Sequence, residues 1–289
     1  MLQRLPFTLA GAVITSTAIA AVAAFGFFLV STLILTRQLL TRGALLPELS
    51  LLPATLGLCV VNAFGCVYVG ETQALGWLYW GYIGVVAAVL AVSRRQDGVL
   101  SALPLVLAGR VMAEVFACGG GGGFVLVSGL VSWWVGFLAM AKGLLEVWVL
   151  VARGGRREGL WAGALVLGVA GWAAVGGAVQ GLVREEEGGY YGGLMLGLVC
   201  WAGATWWGVL AGLGMLEVER EEWREEEPWM AVAAGAAWVL VSAELLEVFG
   251  GLWAAGVVVE IVAVGLVGSL GVLGAVGVRG VVTGELLQD

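Results

Sequence analysis

Apolar runs of about twenty residues or more follow one another along nearly this whole chain, and that succession narrows what it can fold into. About 20 consecutive apolar residues cross a bilayer core as a helix, and a helix satisfies its own backbone polar groups there. Breaking the chain at its charges and glycine-rich turns leaves nine candidate spans, at 6–36, 51–70, 73–92, 99–118, 124–152, 160–183, 189–216, 229–249 and 253–279. The expected fold is therefore all-α: a polytopic membrane helix bundle of about nine spans, forming one multipass domain over residues 1–289. Only 12% of the residues are charged, about half the share of a soluble domain, which leaves no stretch for a separate soluble unit. The run at 6–36 is too long for a signal-peptide core and lacks a polar cleavage segment, so it reads as a retained helix.

The basic residues of the loops set an orientation. With nine spans, Arg4 and Arg184 fall on one side, and Arg37, Arg42, Arg94, Arg95, Arg153, Arg156, Arg157, Arg220, Arg224 and Arg279 on the other. Arginine and lysine accumulate in cytoplasmic loops, so the N-terminus is expected outside and the C-terminus inside, with the plasma membrane as the expected location. The acidic surplus, 21 against 14, is concentrated in "REEE" (184–187) and "EVEREEWREEE" (217–227). Such runs are solvated loops, and they argue against a nucleic-acid partner. The four cysteines lie in or beside apolar spans without a CxxC spacing and read as small packing residues.

A polar group inside a span is costly in hydrocarbon and marks a bundle interior or a pathway. Here these are Asn62, Arg110, Glu114, Lys142, Glu146, Gln180, Ser242, Glu244, Glu247 and Glu260. Arg110 and Glu114 stand at i,i+4, as do Lys142 and Glu146, so each pair can neutralise itself on one helix face. For Arg110 two readings stay open, a self-paired structural patch and a cation for a permeating anion. The segment "GALVLGVAGWAAVGGAVQG" (163–181) carries small residues on every face. It suits either close helix packing or a bare backbone lining a channel.

No histidine occurs anywhere, which removes histidine triads, HExxH zinc sites and imidazole haem ligation. An enzyme is thereby disfavoured, and neither a cofactor nor a metal is expected. The "GGGGG" run (119–123) lacks the Lys-Ser/Thr ending of a phosphate loop and reads as a turn. Permeation, reception and scaffolding remain.

Several segments, taken in order, resemble the tellurite-resistance/C4-dicarboxylate transporter family, which includes fungal malic acid transporters, sulfite efflux pumps and plant slow anion channels. "GLMLGLVCWAGATWW" (193–207) is similar to the family's Gly-Leu-Leu-Leu-Trp-Gly...Trp-Trp helix, and "VRGVVTGELL" (278–287) to its C-terminal Arg...Gly-x-x-x-Gly ending. "LLPATLGLCVVNAFG" (51–65), "LGWLYWGYIGVVAAVLAV" (75–92) and "LSALPLVLAGRVMAEVFACGG" (100–120) resemble its Pro-Met-Gly-Leu...Asn, Trp-Trp and Leu-Pro-x-Val...Gly helices. "GALVLGVAGWAAVGGAVQGL" (163–182) parallels its Gly-Pro-Pro-Gly helix without the prolines.

The resemblance implies a ten-helix anion channel fold of five hairpins, here with its first helix missing. Nine helices with the N-terminus outside then follow, in agreement with the loop charges. A missing first helix implies an incomplete sequence, a diverged paralogue, or a pore completed by another subunit. The family's pore-lining helices correspond to spans 2, 4, 6 and 8, which places Asn62, Arg110, Glu114, Gln180, Ser242 and Glu244 along an anion pathway. The family's mid-pore phenylalanine has its nearest aromatic counterpart in Trp238, a gate by position. The resemblance also implies a small anionic substrate (a dicarboxylate such as malate, sulfite or a halide-like anion) and a homotrimer in the bilayer. The alternative is a non-transporting scaffold or receptor-like protein. In the stretch 193–217, the stripe Gly193, Gly197, Cys200, Ala204, Gly208 and Ala211 is expected to pack on a neighbouring helix, with Trp206 turned to lipid.

Overall fold

The computed structural model describes residues 11–41, 72–92, 99–117, 123–153, 158–183, 187–216, 226–250 and 253–283. These form eight α-helices: α1 (Ala12–Thr41), α2 (Thr72–Val92), α3 (Leu103–Ala117), α4 (Gly123–Ala152), α5 (Glu158–Val183), α6 (Glu187–Leu216), α7 (Glu226–Val248) and α8 (Trp253–Thr283). A 3-10 turn, Val99–Ala102, leads into α3. Proline 104 falls in the first turn of α3, where its missing N–H has no intrahelical partner to lose. Eight of the nine expected spans coincide with these helices, and the remaining one, 51–70, lies outside the described residues.

Among the described residues, five helical stretches are long and apolar enough to cross a membrane: Gly123–Ala152, Gly159–Ala178, Tyr190–Leu216, Glu227–Val248 and Trp253–Val276. This is the character of an integral membrane protein. Several hydroxyls within the helices avoid the cost of an unsatisfied donor by bonding back one turn. Thr32 Oγ1 donates to the Phe28 carbonyl at 2.7 Å, and Ser269 Oγ to that of Gly265 at 3.0 Å.

Helix α5 is the axis of the bundle, with 89% of its span buried against 28% for α4. Its glycines explain how one helix is enclosed from several sides, because without side chains the backbones approach closely. A methyl group on Gly163 would stand 2.9 Å from Leu144 of α4, and one on Gly168 2.9 Å from Ala237 of α7. One on Gly171 would stand 3.1 Å from both Cys200 of α6 and Val241 of α7. Of the two readings of this segment, the described neighbours realise close packing.

These contacts also fix direction. Along α5, Gly163 meets Trp207 and Gly193 meets Ala178, so α6 runs antiparallel to α5. Partners on α7 instead rise in step, Gly168 with Ala237 and Gly171 with Val241, so α7 runs parallel to it. Helix α3 lies antiparallel to α4 through exchanged knobs: Gly109 receives Trp133, and Gly129 receives Met112. On α4 the buried residues Val125, Gly129, Trp133, Gly136, Met140 and Gly143 recur every three or four positions. The opposite face, with Phe124, Val131, Trp134, Leu138 and Leu145, is exposed and, apart from Lys142 and Glu146, apolar, as lipid-facing surface is. Helix α2 joins through hydrogen bonds, Tyr79 with Ser128 of α4 at 2.7 Å and Tyr82 to the Pro104 carbonyl. Gly250, with φ of 75°, closes α7 in the left-handed conformation that ends many helices.

Candidate functional site

Helix α3 is buried on nearly every side along residues 102–113, so a charge on it is shielded from water and needs a partner inside the bundle. Arg110 is 1% exposed and Glu244, on α7, is 3% exposed. Arg110 Nη2 lies 2.9 Å from Glu244 Oε1, and Nη1 donates to Oε2 at 3.5 Å. Helix α5 supplies the third component. Trp172 Nε1 donates to Glu244 Oε1 at 2.7 Å, and the indole ring lies under the guanidinium with 4.5 Å between Arg110 Cζ and the ring centroid. One turn further along α5, Gly176 leaves the space the guanidinium occupies, since any Cβ there would overlap Arg110 Nη1.

Each feature compensates part of the cost of burying charge. The carboxylate neutralises the cation, the indole N–H adds a second donor to the same oxygen, and the ring face adds a cation–π contact of about 0.5–2 kcal/mol. Removing one partner of such a pair costs about 3–5 kcal/mol, because the other charge is stranded. The partner of Arg110 across the bundle is one that i,i+4 spacing does not reveal. Lys142 and Glu146 do meet along α4, at 3.7 Å, on its exposed face.

Three of the helices expected to line a pathway therefore meet: α3, α5 and α7, the counterparts of spans 4, 6 and 8. Arg110, Trp172 and Glu244 fill the meeting point. With a rise of 1.5 Å per residue, Glu244 lies about 6 Å from the end of α7, and Arg110 and Gly176 about 10 Å from the ends of α3 and α5. All three ends point toward the connections at 118–122, 184–186 and 249–252. Asn62 lies outside the described residues. Glu114 and Gln180 stand on α3 and α5 one turn beyond Arg110 and Gly176, and their side chains also lie outside what is described.

Ser242 and Trp238 belong to a different arrangement. Trp201 Nε1 of α6 donates to Ser242 Oγ at 2.8 Å, and Ser242 Oγ donates to the Trp238 carbonyl at 2.7 Å. Reciprocally, Trp238 Nε1 donates to Thr205 Oγ1 at 2.8 Å, and Thr205 Oγ1 donates to the Trp201 carbonyl at 2.8 Å. Each helix thus presents a tryptophan and, four residues later, a hydroxyl, and the two antiparallel copies clasp each other. Sequence reasoning missed this pairing, although "WAGAT" (201–205) and "WVLVS" (238–242) repeat the spacing on successive helices. Trp172 was equally missed. Its only signal was an aromatic four residues before a glycine in the small-residue helix.

Trp238 also borders a cleft of about 280 Å³ between α5, α6 and α7, with Trp161, Ala204, Thr205, Gly208 and Gly235. The expected stripe on α6 is realised at Gly193, Gly197, Cys200, Ala204 and Ala211, but Gly208 opens onto this cleft, with nothing within 4 Å of where a Cβ would stand. Trp206 is 58% exposed, while Trp207 packs inward and Trp201 binds α7. No family model matches this chain, nor does any curated protein or solved structure.

Proposed function

We propose that this protein passes a small anion through the bundle, along a route built by α3, α5 and α7, with Arg110 as the cation that attracts it. The observation that carries the reading is the enclosed Arg110–Glu244 pair at the meeting point of those helices. A buried charge pair is often less stabilising than an apolar replacement, so its presence in a membrane span is by default a functional signal. The substrate class is a dicarboxylate such as malate, sulfite or a halide-like anion. Passage is through a helix-bundle pore in a plasma-membrane protein with its N-terminus outside, with the homotrimer as the proposed assembly. A non-transporting scaffold or receptor-like role draws on the filled meeting point.

Anion flux into proteoliposomes decides between them. Wild-type protein is expected to carry malate, sulfite or chloride, and Arg110→Gln to lose at least about tenfold of that flux, equivalent to 1.4 kcal/mol in the barrier. The folded yield of Arg110→Gln is expected to be partly retained, because Glu244 can protonate when its counter-ion is gone. Protein that folds but carries none of these anions belongs to the non-transporting class.

A further inference from the structure

The cleft of about 280 Å³ between α5, α6 and α7 has a direction as well as a volume. Trp161 of α5 stands at one end and Trp238 of α7 at the other, and Gly208 of α6 leaves the wall between them bare. Gly168 of α5 lies level with Ala237 on the parallel α7, so Trp238 stands about 11 Å deeper along the bundle than Trp161. The cleft thus runs along the helices, and in a bilayer it runs along the lipid chains.

Its walls select hydrocarbon. Trp238 Nε1 donates to Thr205 Oγ1, Thr205 Oγ1 donates to the Trp201 carbonyl, and Trp161 Nε1 donates to Met215 Sδ at 3.2 Å, so the polar side-chain atoms of the lining are already engaged. A held water needs two to four polar partners, which these walls do not offer. An empty space would forfeit dispersion contacts along the whole lining.

The outer end of the cleft is different. Helix α5 has 26 residues and is about 39 Å long, so it exceeds a hydrocarbon core of about 30 Å by nearly one turn at each end. Trp161, in the first turn of α5, therefore stands at the boundary where hydrocarbon gives way to ester groups and where indoles concentrate. Its N–H is held by a thioether, a weak acceptor on an adaptable side chain, so an ester carbonyl is the better partner for it. Beyond this level the same end of the bundle carries charges of both signs, Glu227 in the first turn of α7 and the exposed Arg153 after α4.

We propose that this cleft is a lipid site, seating one acyl chain of a zwitterionic phospholipid whose ester carbonyl accepts the Trp161 N–H. The chain lies against Gly208 and reaches Trp238. The headgroup answers the two charges at that end, its phosphate drawn to Arg153 and its ammonium to Glu227. Trp238 and Thr205 are at once the wall of the cleft and one half of the clasp between α6 and α7, so the bound chain braces that clasp. The site is independent of whether an anion passes through the bundle.

The test uses the full chain purified in detergent with an equimolar phosphatidylethanolamine that carries a diazirine midway along one acyl chain, and maps the adducts by peptide mass spectrometry. Adducts are expected at Val209, Ala234 and Trp238, in preference to Val199 and Trp206 on the lipid-facing side of α6. Gly208→Leu, which places a side chain in the cleft, should lose the cleft adducts and keep those on the exposed faces. Trp161→Phe should weaken capture of the probe by about three- to tenfold, the loss of one hydrogen bond. Unlabelled phosphatidylethanolamine should compete with the probe better than phosphatidylglycerol, which has no ammonium. Adducts spread evenly over the exposed faces would mean boundary lipid only and overturn the proposal. Cleft adducts that persist in Gly208→Leu, or equal competition by the two lipids, overturn it as well. If Gly208→Leu does not fold, the wild-type map and Trp161→Phe decide, and an unchanged capture by Trp161→Phe overturns the proposal.

Discussion

Gly176 occupies a position on α5 where any side chain would overlap the guanidinium of Arg110 on α3. Its neighbour Gly177 faces open space, with nothing within 4 Å of its missing Cβ. Two consecutive glycines thus differ completely in what they do. The difference separates the generic use of glycine in a membrane helix from a specific one, room for a buried cation.

Gly176→Ala is therefore expected to destabilise the protein by about 1–3 kcal/mol through overpacking, and by more where Arg110 is pushed off Glu244. Gly177→Ala should be neutral or slightly stabilising, since alanine has the higher helix propensity by about 1 kcal/mol. Thermal unfolding of the two variants in one detergent compares them directly. Equal midpoints would mean that the guanidinium has another place to sit.

How much of this could be read from the chain depends on the kind of signal. The helices were legible because each apolar run must be one element in a bilayer, and the boundaries of α6 and the end of α4 follow flanking charges, while α4 starts at the glycine run. The role of α5 was legible only as a pair of alternatives. Small residues on all faces say that something comes close without saying whether it is a helix or a solute. Partners across the bundle were not legible at all. Arg110 and Glu244 are separated by 134 positions, and the sequence offers Glu114 four residues from Arg110 as the obvious counter-ion. Spacing along one helix is visible in a sequence, whereas the angle at which a second helix crosses it is not. The tryptophans of α6 show the same limit. Trp206 was placed correctly outside, but Trp201 reaches a hydroxyl on α7 that only the α6–α7 crossing brings near.

The reciprocal clasp between α6 and α7 should behave as a coupled unit. Ser242→Ala leaves the Trp201 N–H without its acceptor, at a cost of about 1–3 kcal/mol, and Trp201→Phe removes donor and ring polarity together. In the double variant neither group is stranded, so the two costs should fall short of adding by about 0.6 kcal/mol or more. The same cycle on Trp238 and Thr205 should give a similar coupling, because the geometry is the same at 2.8 Å. Strict additivity in both cycles would reduce the clasp to coincidence.

The loop charges make a prediction about sidedness. An epitope at the N-terminus should be reached from outside intact cells and one after Asp289 should not, given ten arginines in loops or near helix ends on one side and two on the other. The 184–186 connection should then be external, and with it the nearer ends of α3, α5 and α7. Labelling both termini from the same side would reverse this geometry and place the Arg110–Glu244 pair without a defined side.

The glycines of α6 provide the sharpest test of packing, because two of them sit in one helix with opposite surroundings. A Cβ on Gly197 would collide with Val175 of α5, and there is little freedom to yield, since Val175 is fully buried and β-branched. Gly208 instead faces the cleft of about 280 Å³ beside Trp238, where a methyl group meets nothing. Gly197→Leu is expected to abolish the folded, monodisperse protein in detergent. Gly208→Ala should leave yield and midpoint within about 0.5 kcal/mol of wild type, the range of a substitution that touches no packed feature. Trp206→Leu should be tolerated as well, since its indole is exposed on a lipid-facing surface. Size-exclusion profiles of the three variants give the answer together. A Gly208→Ala protein that fails alongside Gly197→Leu would show that the cleft closes against α6 in the membrane, and the reading of α6 as one packed face and one open face would fall.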